Sequence, residues 1–304
     1  MMVLNNLFPV FALILFGVLL RSWRMTDDVF LKTADKLTYY IFFPLLLFWK
    51  IGGASTALFS NSGLYKAVLC TVFAVYILST VFIILFKVPD YQAGTFSQSC
   101  YRFNSYIGVA IVLNALGEEG VQHFVILIGM IIPVINVLCV STLAWFSEKH
   151  MLPTKRLVQT TKALISNPLI LACISGIVYS NLWHGFPPFI DNALRLSSAV
   201  ALPLAMLSIG GALTLSTVRG HFKMSLISSV FKLLVLPATG YLFLMLFGVS
   251  GLVLKVGLIY FALPTSPALY ILASQLNSDT DLASASVALS TILSFFSLSI
   301  ALLM

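Results

Sequence analysis

Apolar runs of bilayer length, separated by short polar breaks, recur along the whole chain. A helix needs about 20 apolar residues to cross a bilayer, with roughly 17 to 25 tolerated. Residues 3–20, 67–86, 120–147, 163–190, 196–218, 233–254, 256–278 and 282–304 contain no Asp, Glu, Lys or Arg. Two further segments are apolar but interrupted: 37–53, with Pro44, Lys50 and Gly52-Gly53, and 91–116, with Arg102. Counting both predicts ten transmembrane helices. The eighth is placed at about 224–246, because Gly248 and Gly251 mark a loop.

Composition removes the competing classes. Of the 304 residues 60% are hydrophobic and 9% are charged, and the mean hydropathy is +1.02. A soluble domain carries roughly 25% charged residues, so this chain could not cover a water-facing surface. Soluble, disordered, collagenous and disulfide-framework folds are excluded, which leaves an all-α integral membrane protein. The net charge of +7 is scattered at the ends of apolar runs, so it is no nucleic-acid signal. With the N-terminus outside, cytoplasmic loops hold eleven Lys and Arg (Arg21, Arg24, Lys32, Lys36, Lys87, Lys149, Lys155, Arg156, Lys162, Arg219, Lys223). Outside loops hold four: Lys50, Lys66, Arg195 and Lys255. The positive-inside rule then predicts both termini outside the cytoplasm. The first apolar run lacks a basic leader and reads as a first transmembrane helix, not a cleaved signal. Cys70, Cys100, Cys139 and Cys173 sit in apolar stretches without CxxC spacing and read as small hydrophobes.

The chain resembles itself. The second helix reads TYYIFFPLLLFWKIGG, with Pro44 and Gly52-Gly53; the seventh reads SAVALPLAMLSIGG, with Pro203 and Gly210-Gly211. The fourth helix of each half is polar, interrupted and followed by an acidic turn. One carries Arg102 to Ser105 and Glu118-Glu119; the other carries Pro264 to Pro267 and Asp279/Asp281. The predicted organisation is a first five-helix repeat at 1–147, a cytoplasmic linker at 148–162 and a second repeat at 163–304. Five helices per half is odd, so the repeats insert with opposite orientation. Paired broken helices in inverted repeats are the layout of secondary transporters, whose substrates bind where those helices meet. The acidic turns also read as caps, carboxylates complementing helix N-termini.

Every Asp and Glu falls at a predicted loop or helix end, whereas two cations fall inside spans. Arg102 lies about midway through the fourth helix and Lys232 about a third into the eighth. Arg offers a planar fork for a carboxylate, so an anionic solute is the expected counter-charge. The structural reading of Arg102 is bonding to broken-helix carbonyls; that of Lys232 is snorkelling to the surface. Asn104 and Ser105 follow Arg102, and Gly108 lets the backbone break. Pro264 and Pro267 free carbonyls one turn back. Thr265 and Ser266 belong to that interrupted segment, and Ser274, Gln275 and Asn277 add neutral ligands for substrate hydroxyls or a Na⁺. Helix packing is the equal alternative for these polar residues. His123, His150, His184 and His221 share no metal spacing, and no nucleophile, P-loop or dinucleotide signature occurs.

CYRFNSYIGVA at 100–110, GEEG at 117–120, SNPLILA at 166–172 and ALPTSPALYILASQLN at 262–277, followed by DxDLAS, resemble the auxin efflux carrier family of plant auxin carriers and bacterial organic-anion carriers. The resemblance implies a crossover fold like that of bile-acid and sodium/proton carriers, with helices 4 and 9 broken and crossing. It implies scaffold helices 1, 2, 6 and 7 and transport helices 3–5 and 8–10, moving elevator-like. It also implies that Asn104 contacts a carboxylate. The plant pattern has a proline where this chain has Val109-Ala110, and the long plant cytoplasmic loop is absent. These departures point to a small organic acid rather than auxin itself.

The expected function is a secondary carrier moving a small organic anion across the cell membrane, inner or plasma, by alternating access. It would use no cofactor and no metal, with room for Na⁺ coupling, and it would be no enzyme. A sodium-coupled symporter of the bile-acid carrier type and a channel- or receptor-like protein are the alternatives. Its partners are the carboxylate substrate and the lipid bilayer; a homodimer is compatible. On topology, a cysteine introduced at Thr154 should label from the cytoplasmic side only. Labelling by an impermeant reagent from outside would refute the predicted orientation.

Overall fold

A computed structural model describes residues 2–54, 62–146, 161, 165–183, 185–213 and 215–304. The linker 148–162 predicted from sequence lies outside the described residues, apart from residue 161, as do His150 and His184. All regular structure among the described residues is helical, with no strand. In chain order the helices are α1 (Met2–Ser22), α2 (Asp28–Leu37), α3 (Phe43–Gly52), α4 (Ser62–Leu85), α5 (Asp90–Tyr101) and α6 (Ser105–Trp145). There follow α7 (Pro168–Leu182), α8 (Pro188–Ala212), α9 (Leu215–Gly220), α10 (Phe222–Val230), α11 (Leu236–Leu246), α12 (Gly251–Ala262), α13 (Ala268–Gln275) and α14 (Thr280–Leu303).

Among the described residues six helical stretches are long and apolar enough to cross a membrane: Val3–Ser22, Ser62–Leu85, Asp90–Leu143, Pro188–Ala212, Phe222–Leu246 and Thr280–Leu303. The shorter apolar helices Pro168–Leu182 and Gly251–Ala262 join them. The sixth expected span, 163–190, is a helix of 15 residues. Asn167 caps its start, its side chain accepting from the Leu169 and Ile170 N–H groups, and Trp183 leaves it in an extended conformation. The following helix starts earlier than expected because Pro188 sits at its first turn, where a missing N–H costs nothing. Arg195, expected in a loop, is therefore helical.

The sorting of side chains identifies the solvent. On α14 the buried positions include Ser286, Ser290, Thr291 and Ser294, while Ile292, Phe296, Ile300 and Leu303 are exposed. Two of these hydroxyls donate back to their own helix: Thr291 to the Val287 carbonyl at 2.7 Å and Ser294 to the Thr291 carbonyl at 2.7 Å. α5 likewise buries Thr95, Ser97, Gln98 and Ser99. Exposed aliphatics over buried hydroxyls would be unstable in water and are natural in lipid.

Two compact units emerge from the packing. The first comprises Met1–Ser62, Tyr106–Met130 and Ile165–Leu213; the second comprises Gly63–Ser105, Ile131–Leu164 and Thr214–Met304.

In the first unit α1 packs along α8 and α3 packs on α7. Glycines permit the first approach. A Cβ added at Gly210 would strike the Ile14 carbonyl, and one added at Gly17 would strike the Leu207 carbonyl. Ser208 fastens α8 to α2, donating to Asp35 Oδ1 at 2.5 Å and to the Leu31 carbonyl at 3.3 Å. Trp49 Nε1 donates to Asp191 Oδ1 at 2.7 Å, joining α3 to α8. Lys50 pairs with Glu118 at 2.5 Å, just beyond Gly117, whose φ of 68° kinks α6. That kink separates the two apolar runs counted from sequence as helices four and five.

Two π-helical turns have one cause. Thr38–Phe42 joins α2 to α3, and Phe231–Val235 joins α10 to α11. Each lies just before a proline, Pro44 or Pro237, which has no N–H to give the carbonyl four residues back. The ladder lengthens by one residue to absorb the gap: Phe43 N–H reaches the Thr38 carbonyl and Leu236 N–H reaches the Phe231 carbonyl.

The Gly210 contact makes a direct prediction. Gly210→Ala places a methyl against backbone that has no rotamer to yield. It should destabilise the protein by about 1–3 kcal/mol, read as a lowered melting temperature in detergent. A melting temperature equal to that of the wild type would show that the α1–α8 contact is looser than described.

Candidate functional site

The second unit contains two helix interruptions that bond to each other. α5 ends at Tyr101, and Arg102 turns the chain out of the helix with φ −68° and ψ 139°. After Phe103 and Asn104, α6 begins at Ser105. α12 ends at Ala262, Leu263 is extended at φ −65° and ψ 148°, and α13 begins at Ala268. The Asn104 N–H donates to the Pro264 carbonyl at 2.9 Å. Thr265 Oγ1 donates to the Ser99 carbonyl at 2.9 Å, and its N–H donates to Ser290 Oγ of α14 at 3.1 Å. Each interruption thus satisfies backbone groups that the other exposes.

Most of the residues singled out from sequence gather here. Asn104 is fully buried, Ser105 nearly so, and Thr265 is 1% exposed. Pro264 is buried, while Ser266 and Pro267 are partly open. Ser266 Oγ accepts from the Ala268 N–H at 3.3 Å, helping to start α13. Gly108 is buried inside α6 and belongs to the first unit. The backbone breaks at 102–104, ahead of Gly108. Gln275 ends α13, and its side chain lies outside the described residues. Asn277 is exposed in the turn before α14, with φ 53°.

Arg102 is half-buried. Its Nη1 lies 3.4 Å from Gln98 Oε1, one turn back on α5, and its Nη2 lies 3.4 Å from Asn136 Oδ1 on α6. The Cys139 thiol, one turn beyond Asn136, also lies against the guanidinium. The described ion pairs are Arg21 with Asp28, Lys50 with Glu118 and His221 with Asp279. Arg102 therefore has neutral partners only among the described residues. Gln98 was legible in principle, being a polar residue four before Arg102 on the same helix face. Asn136 was not, since nothing in sequence relates it to a residue 34 positions earlier.

Lys232 does not snorkel. It lies in the second π turn, packed against α5, α12 and α14. Its side chain is fully buried, and its ammonium has no hydrogen-bond partner among the described residues. Asp279, expected as a cap, is one: Oδ1 accepts from the Leu282 N–H at 2.8 Å. It also accepts from Gln92 Nε2 at 2.9 Å and lies 3.4 Å from His221 Nε2, contacts that sequence spacing does not reveal. Among the described residues no three His, Cys, Asp or Glu side chains cluster to hold a metal.

A buried Lys without an acceptor costs stability that an apolar side chain of similar length would not. Lys232→Met should raise the melting temperature, equivalent to about 1–3 kcal/mol. If substrate affinity is unchanged in the same protein, Lys232 stands outside the binding site.

Comparison with known proteins places this architecture. An uncharacterized transporter from Methanocaldococcus jannaschii is 22% identical over 292 residues, covering 93% of this chain and 92% of that protein. A family model described as membrane transport protein, the auxin efflux carriers, matches residues 2–302. The apolar helical stretches of the described residues and a match that spans nearly every residue agree: the chain belongs to the auxin efflux carrier family of membrane transport proteins.

Proposed function

We propose that this transporter is a secondary carrier for a small organic carboxylate and works by alternating access with an elevator-like movement of one unit. The observation that carries the substrate class is Arg102: a half-buried guanidinium in a membrane domain, beside the broken backbone, held by neutral amides. An ion of that kind needs a counter-charge, and a carboxylate matches its planar fork. Asn104 and Ser105 orient the anion, and the interrupted segment Pro264–Pro267 supplies the opposing half-site. Helix α6 begins at Ser105, so its first N–H groups favour negative charge there.

Further support comes from the paired interruptions and the Pro/Gly pairs of the second and seventh spans, which fit two inverted five-helix repeats in a ten-helix protein. Division of the chain into two compact units fits a scaffold and a moving part. The ligand acts by binding the inward- and outward-facing states differently.

Uptake of carboxylates into proteoliposomes should saturate and show counterflow; flux that does neither would indicate a channel. Arg102→Gln should weaken carboxylate binding by about 10- to 150-fold, the loss of one charged hydrogen bond worth about 1.5–3 kcal/mol. Arg102→Lys keeps the charge without the fork and should rescue only part of the affinity. Normal affinity in a well-folded Arg102→Gln protein would remove Arg102 from the site.

A further inference from the structure

The partners of Arg102 are arranged with more purpose than a guanidinium needs merely to be buried. Its contacts to the two amides, Gln98 Oε1 and Asn136 Oδ1, are each 3.4 Å long. Charge-assisted bonds to a carboxylate run at about 2.7–2.9 Å, so the fork is held loosely and keeps donors to give. Gln98 has no exposed surface, and its Nε2 has no hydrogen-bond partner among the described residues. The same amide thus spends its oxygen on Arg102 and leaves its nitrogen unspent, within one amide width of the guanidinium. Buried donors are normally satisfied, and an N–H without a partner beside a cation without an acidic partner, both among the described residues, points to an anionic acceptor.

The residue types matter as much as the positions. A carboxylate at either 98 or 136 would pair with Arg102 inside the protein and neutralise it. An amide has nearly the same shape and holds the guanidinium without cancelling its charge. Only Gln, not Glu, also adds a donor on the ligand's side.

We propose that Gln98 and Asn136 form a neutral clamp that orients the Arg102 fork for a carboxylate ligand, and that Gln98 Nε2 donates to that carboxylate. Asn136 is then a positioning residue acting through Arg102, while Gln98 both positions Arg102 and touches the ligand. This rests on the carboxylate-carrier reading and extends it to two amides, one on α5 and one on α6. It accounts for the burial of these two amides beside the guanidinium.

The test uses the full-length protein in detergent, with succinate, pyruvate and indole-3-acetate as probes, and measures affinity by calorimetry and melting temperature without ligand. Gln98→Glu should leave the melting temperature equal or higher, because Arg102 gains an internal partner, while affinity for the best-bound probe falls at least 100-fold. Opposite movement of the two readouts separates the clamp from a purely structural role, which would lower both. Asn136→Asp, on a different helix, should behave in the same way and serves where Gln98→Glu does not fold. Gln98→Met, which removes donor and acceptor without adding charge, should cost about tenfold. Wild-type affinity in folded Gln98→Glu and Asn136→Asp proteins would overturn the clamp while leaving Arg102 to its own variants. Absence of binding by all three probes to the wild-type protein would overturn the carboxylate reading itself.

Discussion

Inside a bilayer no water reaches an unpaired peptide group, so an interrupted helix survives only if something replaces its missing ladder. The second unit is organised around that constraint. Arg102 to Asn104 and Leu263 to Pro267 are two interruptions that would each be costly alone. The Asn104 N–H meets the Pro264 carbonyl, and the Thr265 side chain meets the Ser99 carbonyl. Ser290 on α14 supplies the hydroxyl that takes the Thr265 N–H. The hydroxyl-rich buried face of α14 therefore has a local purpose besides close helix packing. It provides short polar groups where irregular backbone requires them, and it costs little because Ser and Thr otherwise bond back to their own helix.

The same constraint governs the charges. A cation beside irregular backbone in a low-dielectric interior must be neutralised, bonded or left for a ligand. Arg102 is bonded at 3.4 Å and by uncharged groups, which is the arrangement the proposed anion binding requires. Lys232 is enclosed with no partner among the described residues, a different environment for the other cation inside a predicted span. The acidic residues do the opposite work. Asp279 holds a helix start with Leu282, Gln92 and His221 around it, while Asp35, Glu118 and Asp191 tie helices of the first unit together. Exposed pairs such as Lys50 with Glu118 add little stability; their value is in fixing which helix ends meet.

In the first unit close helix packing rests on glycines. Gly17 and Gly210 bring α1 and α8 to backbone contact, where dispersion between close helices replaces the hydrophobic effect that lipid cannot supply. Gly176 does the same for α7 against α3, facing Ile51 and the Phe48 carbonyl. An added methyl group at these contacts would push backbone against backbone and destabilise the packing.

Much of this was legible along the chain because a bilayer imposes a coarse rule on sequence. Segments free of charge had to become helices, and Arg102 and the Pro264–Pro267 segment stood out because they broke that pattern. Gly248 and Gly251, with φ of 64° and 62°, close the loop that their spacing suggested. The limits of helices were less legible: Pro188 started α8 early and Asn167 with Trp183 trimmed α7, since caps are decided by single side chains that apolar averaging ignores. The partners of each polar group were not legible at all. That Arg102 would meet Asn136, that Asn104 would meet Pro264, and that Lys232 would be enclosed rather than reach the surface follow from which helix faces pack together. Sequence by itself determined that the chain is a helical membrane protein with two weak points in its helices. Only the tertiary structure decided that those points bond to each other and which neutral side chains surround the cation beside them, because spacing along one helix carries no record of what lies across from it.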